Sequence, residues 1–209
     1  ASGLSEEIGI RKGDRVLVQS ANNNQMLEIM MAVFRLGAVW TPANFRQSPG
    51  EVAYMCEKSR ATFMIAEAAF ADHVAACRTH LKGVVSIGAM EGATDYEALL
   101  SRHEGATHPD AEVTRDDPAW MFFTSGSTGK PKAVVLTHGQ LTFTTLNHLN
   151  DLMPGTGPAD ASLVVAPLSH GAAMHQITQI AAGAKSVILP QGRFDPALAW
   201  KMIEDWRVS

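Results

Sequence analysis

The chain has 209 residues, 46% of them hydrophobic and 18% charged, with a formal net charge of -4, which allows a sizeable core in one or two domains and excludes a basic surface for nucleic acid. Its two cysteines, Cys56 and Cys77, form no Cys-x-x-Cys pattern, so neither a disulfide framework nor a zinc cluster is expected and a reducing cytoplasm fits. No run approaches the ~18 apolar residues of a membrane span, and the opening ASGLSEEIGIRKGDR lacks the basic-then-apolar order of a secretory signal; only a long-chain substrate would draw the protein peripherally to a membrane.

Short apolar runs then alternate with helical patterns, the mark of an α/β fold with layered, mostly parallel sheets flanked by helices. VLVQS (residues 16–20) reads as a strand, followed by a helix that presents Leu27, Met30, Met31 and Phe34 on one face and stops at Gly37; Met26, Met30 and Met31 read as core. AVWTP (38–42) is the next strand. SPGE (48–51) is a capping box with proline at the first helical position, and its helix reaches about Lys58. TFMIA (62–66) resumes the sheet, a helix covers about 72–80, VVSIG (84–88) is another strand, and TDYE (94–97) reads as a second capping box, with Thr94 as its first residue.

Residues 101–118 are polar, contain two prolines and show neither periodicity, so they read as a surface connection between a first α/β region (1–100) and a second (119–209). The second region opens with the strand AWMFF (119–123), the loop TSGSTGKPK (124–132) and the strand AVVL (133–136). THGQ (137–140) caps a helix ending before Pro154, and SLVVA (162–166), a helix over 172–182 and SVILP (186–190) form one more unit. Asp195 and Pro196 open a last helix to about Arg207. Asn22 to Asn24 reads as a strand-to-helix turn rather than a site.

The loop carries the chemistry. A bound phosphate needs converging donors without obstructing side chains, and positive charge to offset its own. Gly126 and Gly129 permit backbone approach, Thr124, Ser125, Ser127 and Thr128 add hydroxyls, and Lys130 and Lys132 supply charge, with Pro131 stiffening the chain between them. A Walker loop would need glycine where Thr124 stands, Ser or Thr where Pro131 stands, and a helix to follow, so that geometry is excluded.

FFTSGSTGKPKAVVLTHGQL (122–141) closely resembles the signature loop of the adenylate-forming superfamily, which includes acyl-CoA synthetases, peptide-synthetase adenylation domains and beetle luciferases. IRKGDRVLVQSANN, EIMMAVFRLGAVWTPAN, PGEVAYMCEKSRATFMIAE and PLSHGAAM extend the resemblance along nearly the whole chain; Ala133 departs from the usual glycine. It implies an AMP-forming acid-CoA ligase using ATP, Mg²⁺ and CoA on a small carboxylic acid, with Thr124, Ser125, Gly126, Ser127, Thr128, Gly129, Lys130 and Lys132 holding the nucleotide phosphates. By the same resemblance Lys130 has a catalytic role, Thr128 lies at the metal, and His170 stands beside the acyl group and α-phosphate. Gly171 and Met174 are candidates for the acyl pocket, although such residues serve helix packing equally well.

No acidic residue lies in SHGAAMHQITQ, where the resemblance places the aspartate that holds an amino-acid substrate, so a simple carboxylic acid, of the fatty class, is expected. Later family motifs for adenine, Mg²⁺, ribose and the catalytic lysine would fall beyond Ser209. The resemblance therefore implies a partial N-terminal AMP-binding domain, without the C-terminal domain and inactive alone. A carrier-loading adenylation domain and a non-catalytic phosphate-binding or interaction module remain alternatives.

Overall fold

In the computed structural model, which describes residues 1–124, 131–190 and 194–209, the alternation of apolar runs and helices becomes a layered α/β fold. One sheet contains β1 (Arg15–Gln19), β2 (Val39–Ala43), β3 (Phe63–Glu67), β4 (Gly83–Ile87), β5 (Thr94–Asp95), β6 (Pro118–Thr124) and β7 (Lys132–Thr137), in the order β5-β4-β3-β1-β2-β6-β7. Its neighbours run parallel except β6 and β7, which are antiparallel. β8 (Ala161–Val164) and β9 (Lys185–Ile188) pair in parallel as a separate two-stranded sheet.

Side chains alternate across a strand, so one short apolar run serves two cores. On one face Val16, Val18 and Trp40 pack with Met26, Ile29, Met30 and Val33 of α2 (Asn24–Arg35) and with Leu99 of α5 (Tyr96–Arg102). On the other, Leu17 and Met64 meet Val52, Met55 and Cys56 of α3 (Pro49–Ser59), with Val74 and Cys77 of α4 (Ala71–Cys77). The β8–β9 unit and α7 (Gly171–Ala182) join the first core through Val164, Leu168 and Ala173. Both cysteines are buried and free.

Local signals explain most boundaries. Ser48 and Glu51 complete the capping box of α3, Glu51 accepting from the Ser48 amide at 2.7 Å, and Thr137 and Gln140 do the same for α6 (His138–Asn147), Gln140 accepting from the Thr137 amide at 2.9 Å. Gly37 ends α2 at φ +64°, a left-handed conformation that glycine adopts without strain.

Two expectations need correction, and one element went unread. Thr94 does not cap α5: it pairs with Val85 in β5, and Asp95 takes the cap, accepting from the Ala98 amide at 2.8 Å. The buried face of α2 is centred on Met26, Ile29, Met30 and Val33, leaving Met31 39% exposed, because at about 100° per residue Met31 lies about 150° from the centre of that stripe, near the opposite face. A short helix at the amino end, α1 (Ser2–Glu6), carried no periodicity to announce it.

Residues 101–118 do run irregularly over the surface after the end of α5, as their polarity implied. They are tied down rather than loose: the Ala111 amide donates to the Arg35 carbonyl at 2.9 Å, Arg35 pairs with Asp110 at 2.8 Å, and Lys12 pairs with Asp117 at 2.9 Å. They deliver β6 beside β2 in the sheet built by the preceding residues. α8 (Pro196–Trp206) closes the chain.

Candidate active site

The two ends of the 124–132 loop lie where a parallel sheet presents its carboxyl ends, the edge at which open α/β sheets bind ligands. β6 runs parallel to β2 and ends at Thr124, and β7 turns back antiparallel with Thr124 opposite Lys132 and Phe123 opposite Ala133. The two ends of the loop are therefore joined by a strand ladder, and the Tyr54 hydroxyl of α3 donates to the Pro131 carbonyl at 3.3 Å. Thr124 is half-buried and Lys132 exposed. Ser125, Gly126, Ser127, Thr128, Gly129 and Lys130 lie outside the described residues, as does Arg193.

His170 is placed by two elements. Its amide donates to the Pro167 carbonyl at 3.2 Å, forming a turn just before α7, and its ring lies 5.4 Å from that of Phe122 in β6, tilted by 59°. One side of the histidine thus borders the strand that leads into the loop. A cavity of about 250 Å³ opens there, lined by His170, Ser169, Phe123, Asn44, Arg46 and Glu51, among others. Ser169 is buried and its hydroxyl has no partner among the described residues. Glu51 carries a carboxylate at this cavity, but Ser48 engages it through backbone and side chain and lowers its pKa, so it stays charged and serves the helix cap.

Gly171 and Met174 stand elsewhere. Gly171 opens α7, exposed, where an added Cβ would meet no heavy atom within 4 Å. Met174 is half-buried and packs on the first core beside Ala172 and Ile177. Neither lines the cavity that His170 shares with Phe123. A larger concavity of about 850 Å³ lies between α1, α2 and α5 and contains none of the loop or turn residues, so position at the strand ends, rather than size, selects the smaller one. Among the described residues no group of three or more His, Cys, Asp or Glu could hold a metal ion, and no helix is long and apolar enough to cross a membrane.

Sequence reasoning missed Asn44, Arg46 and Ser169. Their signal was positional, since Asn44 and Arg46 follow the carboxyl end of β2 directly and Ser169 precedes His170.

Comparison with known proteins agrees with this geometry. The family model described as AMP-binding enzyme matches residues 1–209. A feruloyl-CoA synthase from Amycolatopsis sp is 32% identical over 209 residues, which cover 100% of this chain and 40% of that protein. An indoleacetate–CoA ligase from Aromatoleum aromaticum is 28% identical over 191 residues, covering 90% of this chain and 37% of that one. The inhibitor-bound crystal structure of the N-terminal domain of FACL13 from Mycobacterium tuberculosis superposes with a TM-score of 0.83 at 26% identity, covering 99% of this chain and 51% of that chain. The chain thus spans about 40% of the curated relatives it matches. With the hairpin-held loop, the matching fold and a family model that runs its whole length, this chain belongs to the AMP-binding enzyme family.

Proposed function

We propose that the chain is the amino-terminal part of an AMP-forming acid-CoA ligase that activates a hydrophobic carboxylic acid, aromatic or fatty, in the cytoplasm. The observation that carries this reading is the β6–β7 hairpin: its Thr124–Lys132 pairing holds the phosphate loop at the carboxyl edge of the sheet, and Phe122 on the same strand contacts His170. The names of the curated relatives and the lack of an acidic residue at 169–179 support a simple acid as substrate.

In this reading the ionised carboxylate attacks the α-phosphorus of ATP, the bond to the β-phosphate oxygen breaks, and pyrophosphate leaves. The carboxylate needs no base, being charged already near neutral pH. What the reaction requires is stabilisation of charge that grows on the departing pyrophosphate, and the hydroxyls and amides of residues 124–129 with Lys130 and Lys132 are suited to it. Mg²⁺ takes oxygen ligands; the Thr128 hydroxyl would supply one beside the phosphate oxygens. The thiol of CoA then attacks the acyl carbonyl and AMP leaves. His170 borders the acid.

The full reading frame, incubated with ATP, Mg²⁺ and a panel containing ferulate, indoleacetate and fatty acids, should catalyse acid-dependent ATP–pyrophosphate exchange and form a thioester with CoA. The 209-residue chain alone should form none. Failure of every acid in the panel, or thioester formation by the short chain, would overturn the respective part of the proposal. Thioester formed only on a downstream carrier module would favour a carrier-loading adenylation domain instead.

A further inference from the structure

After β1 the chain turns into α2 through Asn22, Asn23 and Asn24, which read from sequence as an ordinary turn. Asn23 does act as a cap, accepting from the Met26 amide at 2.8 Å, and its own amide group donates to Ser20 Oγ at 2.8 Å and Glu67 Oε1 at 2.9 Å. The Ala21 amide adds a bond to Glu67 Oε2 at 3.0 Å. The turn is therefore anchored to the end of β3, which makes it a rigid base for the residue it presents.

That residue is Asn22. Its Nδ2 donates to the Ala166 carbonyl at 2.8 Å and its Oδ1 accepts from the Leu168 amide at 2.8 Å. One donor and one acceptor, placed either side of a single residue, reproduce what a neighbouring strand's peptide groups offer. The bracketed residue is Pro167, which has no N–H of its own. Leu168 is fully buried, and the His170 amide bonds back to the Pro167 carbonyl at 3.2 Å. Two protein groups thus set the His170 turn: the Phe122 ring on one side and the Asn22 amide at its base.

We propose that Asn22 is a positioning residue for the ligase reaction, acting through His170; this rests on the function proposed above. The side-chain amide ties the exit of β8 to the exit of β1, so the histidine bordering the acid is referenced to the same sheet edge that carries the phosphate loop. Aspartate keeps the acceptor for Leu168 but sets a carboxylate oxygen against the Ala166 carbonyl. Glutamine is one methylene too long for both bonds, and alanine has neither.

The test uses the full-length enzyme. Asn22→Ala should lower kcat/KM for the acid in pyrophosphate exchange about tenfold, since misplacement of a reacting partner is costly even when the misplaced group is intact, with the loss in the KM for the acid rather than for ATP. Asn22→Asp should fall at least as far, because it sets a charged carboxylate oxygen against the Ala166 carbonyl. In a His170→Ala background the same Asn22→Ala change should cost less than about twofold, since residues that act as one unit are not additive. Hydrogen exchange should speed up in the peptide covering 166–170 and stay unchanged across β1 and β3. Unaltered exchange at 166–170, or independent losses that multiply in the double variant, would overturn the proposal. A wild-type enzyme without acid-dependent exchange would overturn the ligase reading instead, and the hydrogen-exchange comparison would still decide whether Asn22 holds the turn. Should Asn22→Ala fail to fold, Asn22→Asp, which matches the native side chain in shape, carries both measurements.

Discussion

Phe122 and His170 meet ring to ring at 5.4 Å, and through that contact β6, the strand that enters the 124–132 loop, touches the turn that opens α7. An aromatic pair of this kind is worth about 0.5–1.5 kcal/mol beyond its buried area. Phe122→Ala in the full-length enzyme should therefore lower kcat/KM for the acid by up to about tenfold, while Phe122→Tyr retains most of it. Equal rates for wild type and Phe122→Ala in pyrophosphate exchange would remove the contact from any functional account.

In the reaction proposed above, Lys130 is the residue on which the loop's chemistry would lean most heavily, since a positive charge at the departing pyrophosphate acts where the transition state differs most from the ground state. Losing one pre-placed group of this type typically costs ~3 kcal/mol. Lys130→Ala should reduce the adenylation rate by roughly two orders of magnitude at unchanged folding stability. A wild-type exchange rate in that variant would rule the role out.

Trp120 joins the two strands on which the site is built. It faces Trp40 across the β2–β6 register at 4.7 Å and Phe122 along its own strand at 5.9 Å, and both tryptophans are almost completely buried. Neither indole nitrogen has a partner among the described residues, so the rings contribute by packing. Trp120→Ala should cost about 3–5 kcal/mol in urea unfolding, and Trp120→Phe distinctly less. Equal losses in the two variants would mean that ring volume is not what matters there.

His138 begins α6 with its ring edge-on to Phe34 at 6.3 Å, and burial lowers its pKa below the ordinary 6.5; nearby Lys12 adds to that shift and Asp117 opposes it. The unfolded chain then binds more protons than the folded one between the depressed value and 6.5. The stabilisation is complete above pH 6.5 and is lost as pH falls through the folded pKa. The urea midpoint should drop between pH 7.5 and 5.5, and His138→Gln should flatten that slope; parallel pH profiles for the two proteins would refute the assignment.

Much of the architecture was readable because its causes are local. Strands β1 to β4 are short apolar runs filling two cores, and such runs stand out wherever both faces are buried. The boxes at Ser48 and Thr137 were legible because a cap and its third residue form a complete hydrogen-bonded unit within four positions. Thr94 failed for the opposite reason: Asp95 offered a competing cap one residue on, and pairing with Val85 on another strand settled the choice. The site shows the same division. The candidate phosphate-binding residues Thr124 to Lys132 stand in one stretch, while Asn44, Arg46 and Ser169 are common polar residues that only the fold brings together around one cavity.

The sequence by itself determined the α/β class, the helix caps, the phosphate-loop composition and the family likeness, because each depends on residues within about twenty positions of one another. Only the tertiary structure decided that β6 lies beside β2, that Phe122 faces His170, and that Asn22 reaches residues 166 and 168. Those relationships join parts of the chain separated by 48 to 146 positions in the case of the last two. They arise from burying two faces of one sheet at once, a collective choice of packing that no single segment encodes.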